Sequence, residues 1–203
     1  MFIILIGCIV VHQLTQQNPF GKTQSDLDIE ADKIIFEQLK KSGVVHSAAS
    51  EEKPFSNLLN ADGQYTVTFD PIDGSTVMDA NFSVASVFAI WEASGDLNGL
   101  TGRNMVGAAL AVYGSRTTII LYNTQSGRVE ELTLLKMGSK ERWIVTTPDL
   151  KIGADAKLFA PALKSAYEIP SYLKVFEDYC LKGLSLRYSG AFAVDCYQIF
   201  VKG

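Results

Sequence analysis

The stretch Val67–Thr76, "VTFDPIDGST", decides how the sequence is interpreted. Tyr65, Val67 and Phe69 alternate with polar residues up to Asp70, which predicts a β-strand with one apolar face. Asp70 and Asp73 follow, three residues apart. One interpretation is an ordinary Asp-Gly turn between two strands. The other is a site that holds metal ions and a phosphate group, and the residues of the stretch alone leave both open.

The second interpretation has a physical basis in the oxygens and amides of this stretch. Mg²⁺ prefers oxygen ligands from one or two carboxylates, carbonyl groups and phosphate. The carboxylates of Asp70 and Asp73 can converge on such an ion together with the carbonyl of Ile72. The backbone amides that follow can form an anion site beside it, and they belong to Gly74, Ser75 and Thr76.

Two further acidic motifs lie upstream. Residues 25–43, "SDLDIEADKIIFEQLKKSG", predict a helix with an apolar stripe and Gly43 as its stop, and Asp28 lies near its start. The next apolar run, "VVHSAA", predicts a strand that leads to Glu51 and Glu52. Asp28 can instead serve a capping arrangement with Ser25, and the glutamates can instead be a solvated pair.

The rest of the chain predicts an α/β protein. Five further β-like runs are separated by turn signals. They are Phe82–Trp91, Met105–Tyr113, Arg116–Tyr122, Val129–Leu135 and Trp143–Thr147. After Pro148 the sequence pattern changes from β-like runs to a mixture of helices and strands. Helices are expected over residues 171–181 and 191–203, with a strand at "LSLRYSG". We therefore expect a helix-and-sheet domain at 1–147 and the start of a second α/β domain at 148–203.

Composition excludes several classes of protein. A hydrophobic content of 47% in 203 residues indicates a folded chain, and a net charge of −4 without a basic block argues against nucleic-acid binding. Three cysteines without a C-x-x-C motif predict buried thiols in a reducing compartment, and two histidines argue against a zinc site. The apolar residues 1–11 are too few to span a bilayer, so no membrane role is expected.

The quoted motifs resemble those of the fructose-1,6-bisphosphatase family over residues 19–203. "DPIDGST" occurs across a wider group of lithium-sensitive sugar and inositol phosphatases. "SEE", "VMDANFSVASVFAIW" and "VYGSRTT" are more similar to the sedoheptulose-bisphosphatase branch. The resemblance implies a layered α/β sandwich whose second domain is incomplete here. It also implies that residues 1–147 form the metal- and phosphate-binding domain and that residues 148–203 begin the sugar-phosphate-binding domain.

The resemblance also implies Mg²⁺-dependent removal of the 1-phosphate from a ketose bisphosphate. The expected substrate is sedoheptulose 1,7-bisphosphate, with fructose 1,6-bisphosphate as the alternative. Two or more Mg²⁺ ions are implied, with Glu51, Glu52, Asp70, the Ile72 carbonyl and Asp73 as ligands. Asp28 would help to prepare the attacking water, with Glu52 and Asp73 as further catalytic groups. Asp73, Gly74, Ser75 and Thr76 would hold the departing phosphate, and Arg187 and Tyr188 the far phosphate and the sugar.

Arg187 and Tyr188 also have a structural alternative, a surface arginine beside a half-buried tyrosine. The resemblance implies a homo-oligomer as the default state. A cytoplasmic location is expected, with a plastid as the alternative, because neither a transit peptide nor a peroxisomal tail is recognised.

The chain departs from the family pattern at several points, and three of these departures, Lys22, a missing asparagine and a missing C-terminal acid, favour a second hypothesis, a non-catalytic relic or binding partner. Lys22 stands where the family has an acid, and "LFAPALKSA" lacks an asparagine. The cysteine pair of plastid members has no counterpart. The chain ends at "YQIFVKG", before the strands that bring a further acidic ligand and a lysine in the family. Retention of all five acids at 28, 51, 52, 70 and 73 favours the enzyme.

Overall fold

The computed structural model describes the backbone of residues 13–17, 23–93, 97–138 and 140–203. The helices are α1 (Asp26–Lys41), α2 (Leu163–Glu168), α3 (Pro170–Leu181) and α4 (Phe192–Lys202). The strands are β1 (Gln13–Gln17), β2 (Thr23–Ser25), β3 (Val45–Ser50), β4 (Asn57–Leu58), β5 (Tyr65–Asp73), β6 (Val84–Glu92), β7 (Gly107–Tyr113), β8 (Thr117–Asn123), β9 (Arg128–Met137), β10 (Lys140–Thr147), β11 (Leu158–Phe159) and β12 (Ser185–Leu186).

One eight-stranded sheet forms the centre of the fold, in the order β10-β9-β8-β7-β6-β5-β3-β4. Of the described strand pairs in this sheet, β3 and β5 run parallel, whereas the others run antiparallel. Two small sheets pair β1 with β2 and β11 with β12. The predicted helix over residues 25–43 and the predicted strands of the large sheet are confirmed.

Helices α1 and α4 cover opposite faces of the large sheet. On β6, Phe88 and Ile90 pack with the core beneath α1, whereas Ala85 and Val87 pack with Ala193 of α4. Even- and odd-numbered residues of a strand point to opposite faces, so the two helices lie on either side. Helix α4 also contacts β11. The predicted layered α/β sandwich is therefore confirmed.

Helix α1 is held by the stripe that the sequence predicts. Leu27, Ala31, Ile35 and Leu39 are buried, and Ile34 is half-buried. The helix ends at Lys41, and Gly43 follows with φ 72°, a left-handed conformation that glycine adopts without strain.

A buried carboxylate fastens α4 to the sheet. Glu131 of β9 is 4% exposed and accepts a hydrogen bond of 2.6 Å from the Tyr197 hydroxyl of α4. It also accepts hydrogen bonds from the hydroxyls of Thr147 and Thr146, and Arg116 lies 3.6 Å away. Burial raises the pKa of Glu131, but these hydrogen bonds and the arginine outweigh burial and lower the pKa below its ordinary value.

Several details differ from the sequence predictions or lie outside the described residues. Cys180 is exposed and Cys196 is half-buried, so the prediction of buried thiols is wrong for Cys180, on the outer surface of α3. Cys8, Lys22 and the apolar residues 1–11 lie outside the described residues. None of the helices in the described part is long and apolar enough to cross a membrane. The domain boundary after Thr147 stays a prediction.

Candidate functional site

The parallel pair β3–β5 brings two acidic motifs to one edge of the sheet. Ser50, the last residue of β3, pairs with Phe69 of β5. The amide of Glu51 then donates a 3.1 Å hydrogen bond to the carbonyl of Phe69. Glu51, directly after the end of β3, and Asp70 of β5 therefore lie at the same level on neighbouring strands. This is the carboxyl end of the parallel pair, where α/β proteins commonly bind ligands.

A β-bulge places Asp70 and Asp73 on the same face of the sheet. Asp70 pairs with Val87, and Asp73 pairs with Ala85, with a shift of register between them. Residues three apart would otherwise point to opposite faces, and the extra residue of a bulge reverses that alternation. Paired residues share a face, and Val87 and Ala85 face α4. Both aspartates therefore lie on the α4 side.

The interior of the bulge is held by two hydrogen bonds. The Ile72 amide donates to Oδ1 of Asp70 at 3.0 Å, and the Ser86 hydroxyl donates to the Pro71 carbonyl at 2.7 Å. Strand β5 continues to Asp73, and residues 74–83 connect it to β6. The alternative of a tight Asp-Gly turn between strands is therefore wrong, because the aspartates belong to the strand itself.

The loop after β5 packs against the segment before α4. Asp73 Oδ2 accepts a 2.7 Å hydrogen bond from the amide of Ala193, in the first turn of α4. A Cβ added to Gly74 would lie 2.5 Å from Cβ of Ala191, and one added to Gly190 would lie 3.1 Å from Val77. The structure thus brings "DGST" and "SGA" together although 120 residues separate Asp73 from Ala193.

Ser75, Thr76 and Val77 follow Gly74, which has φ 90°. Ser75–Val77 form a single 3₁₀ turn, and Thr76 is exposed while Ser75 is half-buried. The amides of residues 74–76 therefore lie in a turn next to Asp73. This geometry suits the predicted anion site, and the assignment of a bound phosphate there stays a prediction.

Arg187 and Tyr188 directly precede residues 189–191, of which Gly190 and Ala191 pack against the loop after β5. Arg187 is exposed and Tyr188 is 49% exposed, which fits the structural alternative of a surface arginine beside a half-buried tyrosine, so their substrate-binding role stays a prediction. The loop that follows is fixed from α4, because the Ser189 amide donates to the carboxylate of Asp195 at 2.9 and 3.2 Å. Asp195 is 4% exposed and was not identified from the sequence.

Two buried aspartates of α1 lie one helical turn apart. Asp28 and Asp32 are each 1% exposed. Asp28 is the third residue of α1, the position that the capping arrangement predicts, and its catalytic role stays a prediction. Glu52 is 6% exposed, so the interpretation of Glu51 and Glu52 as a solvated pair is wrong for Glu52. Asp32 was missed, although its i, i+4 spacing from Asp28 places it on the same helix face.

The donor atoms of the site fit a hard cation. All are carboxylate or carbonyl oxygens, which suit a divalent ion such as Mg²⁺ better than a soft metal. Within the described residues, however, no group of three or more His, Cys, Asp or Glu side chains is arranged to hold a metal ion. Glu51, Asp70 and Asp73 lie at the carboxyl end of the β3–β5 pair, and each of the five predicted acids interacts with another group of the protein.

The comparisons with known proteins identify the family. Residues 8–148 match the family described as "Fructose-1-6-bisphosphatase, N-terminal domain". The chain therefore belongs to the fructose-1,6-bisphosphatase family. This agrees with the resemblance inferred from the motifs.

The relatives include both branches of the family. The chain is 39% identical over 188 residues to the chloroplastic sedoheptulose-1,7-bisphosphatase of Spinacia oleracea, covering 91% of this chain and 47% of the relative. It is 35% identical to the class 1 fructose-1,6-bisphosphatase of Geobacter sulfurreducens, covering 92% and 58%. The chain thus spans about half the length of these curated relatives.

The fold similarity extends to solved structures. A Toxoplasma gondii protein assigned as a sedoheptulose-1,7-bisphosphatase superposes with a TM-score of 0.83 at 29% identity, covering 96% of this chain and 64% of that one. The holo form of Leishmania major fructose-1,6-bisphosphatase gives a TM-score of 0.80 at 26% identity, covering 93% and 63%.

Proposed function

We propose that this chain carries the metal- and phosphate-binding part of a Mg²⁺-dependent sugar bisphosphatase. The proposed reaction is removal of the 1-phosphate from a ketose bisphosphate, with sedoheptulose 1,7-bisphosphate as the first candidate substrate. The observation that carries the proposal is the end of the β3–β5 pair, where Glu51 and Asp70 lie at the same level and the bulge turns Asp70 and Asp73 toward the same side. Membership of the family supports it.

The proposed division of work follows the resemblance to the family. Glu51, Glu52, Asp70, the Ile72 carbonyl and Asp73 would hold Mg²⁺, which supplies charge neutralisation at the phosphoryl group and activation of a water. The amides of residues 74–76 would bind the oxygens of the departing phosphate. Asp28 would accept a proton from the attacking water and orient it. Arg187 and Tyr188 would contact the far phosphate and the sugar.

The first experiment measures phosphate release by the full chain from the two bisphosphates, in Mg²⁺ and in EDTA. We expect Mg²⁺-dependent release, and we expect Asp73→Asn to reduce it by several orders of magnitude because the variant loses a ligand charge. The matched control is Asp79→Asn, the same change at an exposed position of the same loop, which should keep the parental rate. Turnover of Asp73→Asn within tenfold of the parent would contradict the assignment.

Substrate preference is decided in the same assay. Faster release from the seven-carbon sugar would support the sedoheptulose branch, to which the Spinacia oleracea relative belongs. Release from fructose 1,6-bisphosphate alone would move the proposal to the other branch, represented by the Geobacter sulfurreducens relative.

A second candidate function is binding without catalysis. It is favoured over hydrolysis by the observation that three acidic side chains do not converge on one point within the described residues, since a two-metal cluster needs such convergence whereas a single ion can be held by one or two carboxylates. Saturable binding of Mn²⁺, without phosphate release from either sugar, would support this candidate over the enzyme.

A further inference from the structure

We propose that Asp32 is a positioning residue that holds Glu51 and Glu52 at the metal site. This inference rests on the proposed function. Asp32 lies on α1, is 1% exposed, and does not belong to the expected set of ligands. Its Oδ1 accepts a hydrogen bond of 2.5 Å from the Ser50 hydroxyl, and its Oδ2 accepts one of 2.5 Å from the ammonium group of Lys53. The two residues that contact Asp32 therefore lie directly before and directly after Glu51 and Glu52 in the sequence.

The backbone closes the same turn. The Lys53 amide donates to the Ser50 hydroxyl oxygen at 2.9 Å, and the Ser50 amide donates to the Lys53 carbonyl at 3.0 Å. Ser50 is 4% exposed, so its hydroxyl group is fixed between Asp32 and the turn. Residues 50–53 are therefore tied at both ends, by their backbone and through one shared carboxylate. The backbone of Glu51 and Glu52, which lie between these two residues, is therefore restricted to the same turn.

The position of Lys53 adds an electrostatic role. Its ammonium group pairs with Asp32 and lies 4.8 Å from the centre of the Phe36 ring, which keeps the cation against α1. Without the Asp32 charge, the nearest acids for this cation along the chain are Glu51 and Glu52. A lysine paired with those groups competes with a divalent cation for the same carboxylates. Asp32 thus positions the turn and keeps a competing cation away.

The test is a Mn²⁺ titration of the full chain, in which electron paramagnetic resonance measures the free and bound Mn²⁺. Loss of an outer partner of metal ligands typically weakens metal affinity by about 10–100-fold, and we expect about tenfold weaker binding for Asp32→Asn. Asp32→Asn/Lys53→Met should recover part of this loss because the competing cation is gone. The matched control is Glu30→Gln on the exposed face of α1, whose pair with Lys33 spans 4.0 Å, and its affinity should stay within twofold of the parent.

A second readout does not depend on metal. Amide hydrogen exchange at Lys53 reports the bond to the Ser50 hydroxyl, and we expect it to be at least tenfold faster in Asp32→Asn, with exchange in β7 unchanged. Parental Mn²⁺ affinity in Asp32→Asn overturns the inference and leaves the proposed function standing. A parent chain that does not bind Mn²⁺ overturns the proposed metal site and this role of Asp32 with it. Weakened binding without recovery in the double variant overturns the competition argument.

Discussion

Replacing Gly74 by alanine adds one methyl group at the most crowded point of the site. The new Cβ would lie 2.5 Å from Cβ of Ala191, a distance that real Cβ atoms essentially never show, and Ala191 is fully buried. Overpacking of this kind costs about 1–3 kcal/mol. Gly74 also has φ 90°, and a left-handed conformation costs a non-glycine residue about 1–2 kcal/mol. The alanine regains about 0.4–1 kcal/mol by restricting the unfolded chain.

We therefore expect Gly74→Ala to lower the free energy of unfolding by about 3 kcal/mol, as measured by urea denaturation of the full chain. Gly43→Ala is the matched control, because Gly43 has φ 72° and nothing within 4 Å of the added Cβ. It should cost only about 1 kcal/mol.

The contact itself is tested by a double-mutant cycle. Adding Ala191→Gly to Gly74→Ala removes the opposing methyl group, so it should recover about 1–2 kcal/mol of the overpacking cost. A cost for Gly74→Ala equal to that of Gly43→Ala would refute the reasoning, and so would a cycle without coupling.

Two further predictions concern stability. Glu131→Gln should lower the free energy of unfolding at pH 7 by about 1.5–3 kcal/mol, the range for hydrogen bonds to a charged group. The pKa of Glu131 is lowered in the folded state, so the contribution of its charge is present above its ordinary pKa and is lost as pH falls through the folded value. Urea denaturation between pH 7 and 3 should thus show the parent and the variant converging in acid, and a constant difference would contradict this. Phe69→Ala should cost about 3–5 kcal/mol, because Phe69 is buried between Phe36 and Phe88, whereas Phe55→Ala, at a side chain 76% exposed, should leave the urea midpoint almost unchanged.

The periodicity of the sequence was sufficient to predict most of the large sheet and α1. Alternation of apolar residues marks β5 through Phe69, and the stripe from Leu27 to Leu39 marks the helix. Short elements were missed, among them β11, α2 and the pair β1–β2, because two to six residues carry too little periodicity to be recognised.

The bulge could not be predicted in the same way. The alternation of apolar residues breaks at Pro71, which the sequence suggested as a turn. The structure shows a strand that continues to Asp73, because Ser86 of the neighbouring strand bonds to the Pro71 carbonyl. Ser86 is fifteen residues away from Pro71, so the residues around Pro71 give no signal that predicts this contact.

The site was predicted in part, and its long-range contacts were not. The acids at 28, 51, 52, 70 and 73 were identified from motifs, and the structure places those at 51, 70 and 73 at the carboxyl end of the β3–β5 pair. Asp32 was missed because its partners Ser50 and Lys53 are brought near only by the fold, and Asp195 because no motif marks its local bond to the Ser189 amide. The metal, the compartment and the oligomeric state stay predictions.

The 120 residues between Asp73 and Ala193 also bear on the order of folding. The contact between Asp32 and Ser50 closes a loop of only 18 residues. Closing the loop of 120 residues between Asp73 and Ala193 costs about 1.7 kcal/mol more in chain entropy. We therefore expect the turn of residues 50–53 to form early and the contact with α4 to form late. Until then, the apolar face of Ala85, Leu110 and Val112 is open to solvent. Misassembly between chains is most favoured during that interval, so docking of α4 both brings the Ala193 amide to Asp73 and protects the folding chain from aggregation.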